Sequence, residues 1–194
     1  MRTIWGLAIL LAFSVSACHA QFFPKSSLDV RGDDFKANWY SAQLRALEEP
    51  SLFELASNPL SHSYRFLWLR TFNHPIAIRV DIKPDGTGTL MIKMASGAGG
   101  YAPGTLIENT SQALDETQIR SFLALVDRVN FWTVPNPVDD QAGTDGSQWI
   151  IEGLKSGKYH VVDRWTPESG PAYDLGVFFV FDLAKMSLPK REVY

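Results

Sequence analysis

The sequence predicts an α+β domain, in which an antiparallel sheet of about five to six strands has helices packed on one face. Two observations predict the sheet. Residues 76–94 and residues 148–165 each contain two runs rich in apolar residues, and in each stretch a turn signal lies between the two runs. A third observation, the spacing of apolar residues at three and four positions in other segments, predicts the helices. The composition, 45% hydrophobic and 12% aromatic, supplies a packed core and excludes a disordered chain.

Two short helices are predicted before the sheet. The first carries four residues at helical spacing, Phe35, Trp39, Ala42 and Ala46. Asp33 or Asp34 can cap its start, and Glu48-Glu49-Pro50 ends it because proline disfavours the helical conformation of the preceding residue. Ser51 and Glu54 then form a capping-box pattern for a second, shorter helix.

A β-hairpin is predicted over residues 76–94. Ile76, Ile78, Val80 and Ile82 alternate with Ala77, Arg79, Asp81 and Lys83. This alternation predicts a strand with one buried face and one face in solvent. Pro84-Asp85-Gly86 is a turn signal, and apolar residues alternate again on the return strand. The aromatic-rich stretch 64–72 is expected to pair beside this hairpin.

A strand and two helices are predicted in the second half of the chain. The strand begins at Thr105. In the helix that follows, Asp115 and Gln118 form a capping box. The core stripe of this helix is Ile119, Phe122, Leu123 and Val126. The last helix covers residues 173–186 and is apolar around most of its circumference, so it is expected to be largely buried.

A second hairpin, over residues 148–165, concentrates polar and aromatic side chains. With Ser156-Gly157 as a two-residue turn, Trp149 faces Arg164 and Gly153 faces His160. A guanidinium stacks favourably on an indole, and Trp, Tyr and Arg dominate the energy of protein interfaces. The candidate binding surface is Trp149, Arg164, His160, Asp163 and Asp145. The alternative is structural: one face packs on the helices while the polar side chains satisfy neighbouring groups.

A hydrolase is the competing interpretation, with His160 acting together with Asp145 or Asp163. The Gly-x-Ser-x-Gly pattern of many serine hydrolases does not occur in the sequence. The histidines after residue 19 are His62, His74 and His160. None has the i, i+4 spacing of a zinc site, so neither a metal nor a cofactor is predicted. The net charge of −3, without clustered Lys and Arg, argues against a nucleic-acid partner.

The N-terminal segment predicts export. Residues 1–17 combine a positive charge at Arg2, an apolar stretch and small residues, which is the pattern of a signal peptide. Val15-Ser16-Ala17-Cys18 is similar to a bacterial lipobox, in which the cysteine becomes the first residue and attaches the protein to the membrane through acyl chains such as palmitate. Residues 18–32 are then predicted as a tether and residues 33–194 as a single domain. Two alternatives stay open: cleavage after Ala20, which would discard Cys18, and a buried structural thiol.

Four sequence motifs resemble a known group of proteins. They are Gly-Thr-Gly-Thr-Leu at 86–90, Gly-Ala-Gly-Gly-Tyr-x-Pro-Gly at 97–104, Gln-Trp-Ile-Ile-Glu-Gly at 148–153 and Tyr-His-Val-Val-Asp-Arg-Trp at 159–165. They resemble small exported bacterial lipoproteins known only as domains of unknown function. The resemblance implies an α+β fold and a bacterial envelope location, and it carries no activity with it.

The sequence therefore predicts a bacterial cell-envelope lipoprotein with a lipid anchor at Cys18. His19 follows the cysteine, and resemblance to sorted lipoproteins then implies the outer membrane, facing the periplasm. The domain is predicted to bind a protein or a ligand without catalysis, with an envelope protein as the expected partner. By analogy of size and anchoring, an inhibitor or immunity protein against an envelope-targeted toxin fits this class.

Overall fold

The sheet has six strands: β1 (His62–Arg70), β2 (Ile76–Ile82), β3 (Gly88–Ala95), β4 (Leu106–Leu114), β5 (Ser147–Lys155) and β6 (Lys158–Trp165). The computed structural model describes residues 20–29, 34–138, 143–189 and 192–194. The strand order is β4-β3-β2-β1-β5-β6, and all neighbouring strands run antiparallel. The first four strands form a meander, and β5 then pairs with the other side of β1. The predicted α+β class and antiparallel sheet are confirmed.

Four α-helices accompany the sheet in the described residues: α1 (Phe35–Ala46), α2 (Leu52–Leu55), α3 (Glu116–Arg128) and α4 (Pro171–Val177). A 3-10 turn, Phe131–Thr133, follows α3, and a π-helical segment, Phe178–Leu183, continues α4. The predicted start of α2 is confirmed, because the Glu54 N–H donates to Ser51 Oγ at 3.0 Å. The capping box of α3 is confirmed as well. Across the described part of the chain, no helix has the length and apolar character needed to cross a membrane.

Both predicted hairpins form, and the second has the register that its two-residue turn predicts. In the first, Ile76 lies opposite Met94 and Ile82 opposite Gly88. In the second, Trp149 lies opposite Arg164 and Gly153 opposite His160. A two-residue turn fixes this pairing locally, since the residues on either side of it have no other register available.

Helices cover both faces of the sheet, so the prediction of helices on one face is wrong. On the first face, Phe66 and Trp149 pack with Phe122 of α3 and Phe179 of the π-helical segment. On the second face, Leu67, Leu69 and Ile150 pack with Tyr40 and Leu44 of α1. The physical reason lies in β1 and β5, where consecutive residues are buried on both sides of the strand. A central strand covered on both faces gives a continuous apolar run rather than an alternation.

Helix α1 is confirmed, but a different stripe of it is buried. Phe35, at the start of the predicted stripe, is 69% exposed. The residues that pack on the sheet are Tyr40, Leu44 and Leu47, all fully buried. Their spacing of four and three is also helical, so this stripe was the signal that could have identified the buried face.

Residues 21–28 belong to the folded domain, which corrects the prediction of a tether over 18–32. Phe22, Phe23 and Leu28 are buried in the core of the second face. The Gln21 N–H donates to Glu54 Oε1 at 2.7 Å, and the Ser51 hydroxyl donates to the Gln21 carbonyl at 2.6 Å. The predicted signal peptide, 1–17, and the predicted lipidation site, Cys18, lie outside the described residues.

Candidate functional site

The five residues of the predicted binding surface do not form one surface. Trp149 is fully buried, and its ring contacts Phe66, Trp68 and Tyr173 at centroid distances of 5.1, 5.7 and 5.9 Å. A fully buried indole is not available to a partner protein. The prediction that Trp149 lies on a binding surface is therefore wrong.

Arg164 and Asp163 hold parts of the fold together. The Arg164 guanidinium donates to the Pro135 carbonyl at 2.6 Å and to Asn136 Oδ1 at 3.0 Å. Asp163 is buried on the other face, where Lys36 Nζ donates to Oδ2 at 2.8 Å. These contacts match the structural alternative, in which polar side chains of the hairpin satisfy neighbouring groups.

The His–Asp pairs of the hydrolase interpretation do not come together. His160 and Asp163 lie an odd number of positions apart on β6 and therefore point to opposite faces of the sheet. Asp145 precedes Gly146, where an added Cβ would lie 2.5 Å from the Trp165 ring. His160 and Trp165 are five positions apart on β6, about 16 Å at the usual rise of a strand. Hydrogen-bonded general-base geometry needs contact distances of about 3 Å.

His160 has a structural environment. Its Nε2–H donates to the Val134 carbonyl at 3.1 Å, and its ring meets Phe131 edge-on at 5.1 Å. Burial lowers the pKa of His160, so the neutral imidazole fits this position at neutral pH. Among the described residues, no group of three or more His, Cys, Asp or Glu side chains is placed to hold a metal ion.

A group of buried charges, which sequence reasoning missed, lies beneath the connection from α1 to α2. We call it the charge cluster; its members are Glu49, Arg65, Arg79, Lys93 and Glu152. Arg65 is fully buried and donates to Glu152 Oε2 at 2.7 Å and to the Pro50 carbonyl at 2.7 Å. Glu49 accepts from Arg79 Nε at 2.9 Å and lies 3.1 Å from Lys93 Nζ. The charge cluster fastens this connection to the second face of the sheet.

The prediction of a solvent face on β2 is corrected by the charge cluster. Only 12% of the Arg79 side chain is exposed, and Ala77 is buried. Alternation identified which side chains share this face, but helix α1 and the Glu49 carboxylate cover it. The polar residues are tolerated there because each charge finds an opposite charge or a carbonyl.

At Glu49 and Arg65 the opposite charges outweigh the cost of burial, whereas at Glu152 burial dominates and raises the pKa of the carboxyl despite Arg65. Burial alone would raise the pKa of Glu49, but Arg65, Arg79 and Lys93 hold that pKa below its ordinary value. A carboxylate with a lowered folded-state pKa stabilises the fold above its unfolded pKa, and the stabilisation is lost as the pH falls through the folded value. Burial alone would lower the pKa of Arg65, but the carboxylates of Glu152 and Glu49 raise it. The cluster is therefore a structural device that depends on its pairing.

Four aromatic side chains, three of them mostly exposed and one partly buried, gather near Arg70 at the end of β1. We call them the aromatic patch: Phe35, Trp39, Phe72 and Tyr101. Phe35 is 69% exposed, and Phe72 and Tyr101 are each 63% exposed. The Phe72 and Tyr101 rings lie 6.2 Å apart, and those of Phe35 and Trp39 lie 6.0 Å apart. A shallow pocket of about 280 Å³ between Phe35, Trp39, Gly100 and Tyr101 joins the two pairs.

The aromatic patch rests on a fixed loop. Trp39 Nε1–H donates to the Gly99 carbonyl at 2.9 Å, and Gln43 Nε2 donates to the Tyr101 carbonyl at 2.9 Å. Gly99 packs so closely on β1 that a Cβ there would lie 2.7 Å from the Leu69 Cα. The glycine-rich segment thus serves close backbone packing, and it presents Tyr101 beside α1.

A set of buried hydrogen-bond donors lies on the first face at the same end of β1. We call it the indole niche: Trp68, Ser147 and Trp149, all fully buried. The main-chain oxygen of Tyr194 accepts from Trp68 Nε1–H at 3.1 Å, from Trp149 Nε1–H at 3.0 Å and from the Ser147 hydroxyl. The segment that follows β1 links this niche to the aromatic patch, because Asn73 accepts from the Tyr194 hydroxyl at 2.7 Å and Phe72 belongs to the patch.

No protein-family model matches this chain, and no curated protein sequence resembles it at a significant level. The resemblance to small envelope lipoproteins stays a prediction.

Proposed function

We propose that this chain is a bacterial envelope lipoprotein whose domain binds a protein partner without catalysis, through the aromatic patch. The anchor is Cys18, the compartment is the periplasmic side of the outer membrane, and the partner is an envelope protein. Within this class, inhibition of an envelope-targeted toxin is the role that size and anchoring favour by analogy.

The observation that carries the binding proposal is the exposure of the aromatic patch. Large aromatic side chains are ordinarily buried, and contiguous exposed apolar groups are typical of interaction sites. Aromatic residues also supply much of the energy at the centre of protein interfaces. Phe72 and Tyr101 lie on loops that hydrogen bonds hold in place. Binding of a partner would therefore cost these loops little conformational entropy.

Gln21, a residue of the folded domain, lies close in sequence to the proposed lipid anchor at Cys18. Gln21 is hydrogen-bonded to Glu54 and Ser51, and it lies only three positions after Cys18. A fully extended chain of that length reaches about 10 Å. A lipid on Cys18 would therefore hold the domain directly against the membrane surface rather than lift it away, and the partner would be met at that surface.

Removal of the aromatic patch is expected to abolish partner binding without unfolding the domain. The change is Phe35→Ala with Tyr101→Ala, and both side chains are mostly exposed, so the melting temperature should stay within a few degrees of the wild type. The measurement is a pull-down from solubilised bacterial envelopes with residues 18–194 carrying Cys18→Ser, followed by mass spectrometry and by affinity measurement with the purified partner. We expect a loss of affinity of at least tenfold.

Leu60→Ala is the matched control, because Leu60 is an exposed apolar residue, at 81%, beyond the opposite end of β1. It lies about 30 Å from Phe72 along the strand. A partner kept by the Leu60 variant and lost by the patch variant supports the proposal. A partner lost equally by both variants, or retained by both, would refute the aromatic patch as the binding site.

The anchor itself is tested by Cys18→Ser in the full chain. The wild-type protein is expected to incorporate an alkyne-labelled palmitate and to sediment with membranes, because two or more acyl chains give stable attachment. The variant should carry no label and should not sediment with membranes through an acyl chain. Equal labelling of both proteins, or labelling of neither, would contradict lipidation at Cys18, and an unlabelled protein cleaved after Ala20 would identify the alternative.

A further inference from the structure

The two edge strands of the sheet differ in what lies against them. At the β6 edge, Asn136 lies beside the strand, and its Oδ1 accepts from the Asp163 N–H at 2.9 Å. At the β4 edge, residues 107–113 are all exposed. Within the described part of the chain, their main-chain groups make hydrogen bonds only to β3. Strand β4 is therefore an open edge, and such an edge is a template for pairing with a further strand.

The hydrogen bonds between β2 and β3 show which main-chain groups of β3 are used on that side. The Lys83 N–H donates to the Thr87 carbonyl at 2.8 Å, just outside the hairpin ladder. At the other end of the ladder, the Ala95 N–H donates to the Pro75 carbonyl at 3.2 Å. The odd-numbered residues of β3 therefore bond to β2. Because bonded and non-bonded positions alternate in an antiparallel pair, the even-numbered residues of β3 bond to β4.

This alternation determines which residues of β4 have free main-chain groups. The partners of the even-numbered residues of β3 include Glu108, Thr110 and Gln112, so the N–H and C=O groups of these three point toward β3. The N–H and C=O groups of Asn109 and Ser111, which lie between them, point toward the open edge.

The regular part of this edge, residues 108–112, is complementary to a second copy of itself. In an antiparallel pairing centred on Thr110, Asn109 lies opposite Ser111 of the second copy. The outward main-chain groups of the two strands then meet as hydrogen-bonded pairs. Thr110 lies opposite its own copy, and facing threonines stabilise a strand pair. Glu108 lies opposite Gln112, whose amide can donate to the carboxylate.

The charges at this edge are compatible with that pairing. Glu108 is the one charged residue in the sequence of 107–113. The two Glu108 residues of the pair would be four positions apart along the sheet, about 14 Å at the usual rise of a strand, so salt screens their repulsion. Gln112 Nε2 donates to the Leu183 carbonyl at 3.1 Å, and an amide nitrogen has a second N–H to offer Glu108.

Other registers that keep the same hydrogen-bonded positions fit less well. A pairing centred on Ser111 places the Glu108 carboxylate opposite Leu114, which is buried in the core of the first face. A pairing centred on Asn109 runs into the irregularity of the β3–β4 ladder, which lies between Met94 and Ala95. The register centred on Thr110 avoids both problems.

We propose that β4 pairs with β4 of a second copy of this chain, antiparallel and centred on Thr110, to give a symmetric dimer. The sheet would then continue through both copies, with six strands from each. Because both copies use the same surface, the assembly closes at two. An edge contact of this length is small for an interface, so we expect association at micromolar concentrations. The inference does not rest on the proposed function and uses no residue of the aromatic patch.

The test is sedimentation velocity of residues 18–194 with Cys18→Ser, from about 1 to about 500 μM, a range suited to a small interface. This protein lacks the apolar residues 1–17 and the thiol, either of which could associate copies by itself. The sedimentation coefficient should rise from that of a monomer to that of a dimer. A monomer across the whole range would overturn the proposal.

Thr110→Lys should weaken the dimer at least tenfold, because it places two like charges opposite each other. Thr110→Glu should do the same. An equimolar mixture of the two variants should associate at least tenfold more tightly than either variant alone, because each lysine then faces a glutamate. Association that Thr110→Lys leaves unchanged, or a mixture that gains nothing, would overturn the pairing.

Thr144→Lys is the matched control. It makes the same change at an exposed threonine before β5, and β1, β2 and β3 separate β5 from β4 in the sheet. This variant should dimerise as the parent protein does. A loss equal to that of Thr110→Lys would show an effect of net charge rather than of position, and would refute the proposal.

Amide hydrogen exchange, followed by NMR, tests which atoms are paired. The N–H groups of Asn109 and Ser111 should exchange at least tenfold more slowly in the dimer than in the monomer. Those of Thr110 and Gln112, which already bond to β3, should change little. Dimer formation without slower exchange at Asn109 and Ser111 would place the interface elsewhere and would contradict the proposal.

Discussion

Arg65→Ala is expected to lower the free energy of unfolding by about 3–5 kcal/mol, because it leaves the buried Glu152 carboxylate without its charged partner. Glu152 is fully buried and lies 2.6 Å from Arg65 Nη2. Glu49 would keep Arg79 and Lys93, but the carbonyl of Pro50 would lose its donor. The measurement is urea unfolding of the purified domain, with circular dichroism as the signal.

The matched control for this loss is Arg120→Ala. Arg120 pairs with Glu116 at 3.3 Å, but both side chains are more than 60% exposed. Such a surface pair is worth less than about 1 kcal/mol, because water screens it. Similar losses in the free energy of unfolding for Arg65→Ala and Arg120→Ala would contradict the argument that burial makes the Arg65 pairing important. Replacement of both Arg65 and Glu152 by methionine should lower the free energy of unfolding less than Arg65→Ala does, since no unpaired charge remains at position 152.

Trp149→Ala is expected to destabilise the domain by about 3–5 kcal/mol, because a large buried ring leaves a cavity that its neighbours fill only in part. Its ring is enclosed by Phe66, Trp68 and Tyr173. Helix α4 comes so close that a Cβ on Gly176 would collide with the indole. For a domain of this size the melting temperature should fall by roughly 10 °C, as measured by thermal denaturation.

Phe72→Ala is the comparison for this effect, because it removes an aromatic ring that is 63% exposed. A substitution of that kind is usually within about 0.5 kcal/mol of neutral. An unchanged melting temperature in Trp149→Ala would mean that the indole is not part of the core. That result would support the prediction from sequence that Trp149 lies on an exposed binding surface.

Local signals predicted the parts of the fold whose physics is local. The capping box at Asp115 and Gln118 predicted the start of α3, because it involves hydrogen bonds three residues apart. The turn at Ser156-Gly157 predicted the partners of Trp149 and His160, because a two-residue loop leaves one register. Both features are complete within a few residues of sequence, so no distant part of the chain alters them.

The candidate site was poorly predicted, because each of its residues depends on what covers the sheet. The pairing of Trp149 with Arg164 was predicted correctly. The strand pattern that predicts this pairing is the same whether the Trp149 ring is buried under a helix or exposed to solvent. The aromatic patch joins residues of α1 with the loops after β1 and β3, which no sequence spacing connects. The indole niche needs Tyr194 to return to β1 and β5, a contact between residues 126 positions apart at Trp68.

Periodicity and turn chemistry, which act over short distances, were enough to predict the α+β class, both hairpins, the register of the second hairpin and the capped helices. Which faces are covered depends on tertiary packing: α1 and residues 21–28 close the second face, and the charge cluster covers part of the expected solvent side of β2. The physical reason is that burial is a property of packed elements, so an alternating pattern specifies which side chains share a face but not what lies above it.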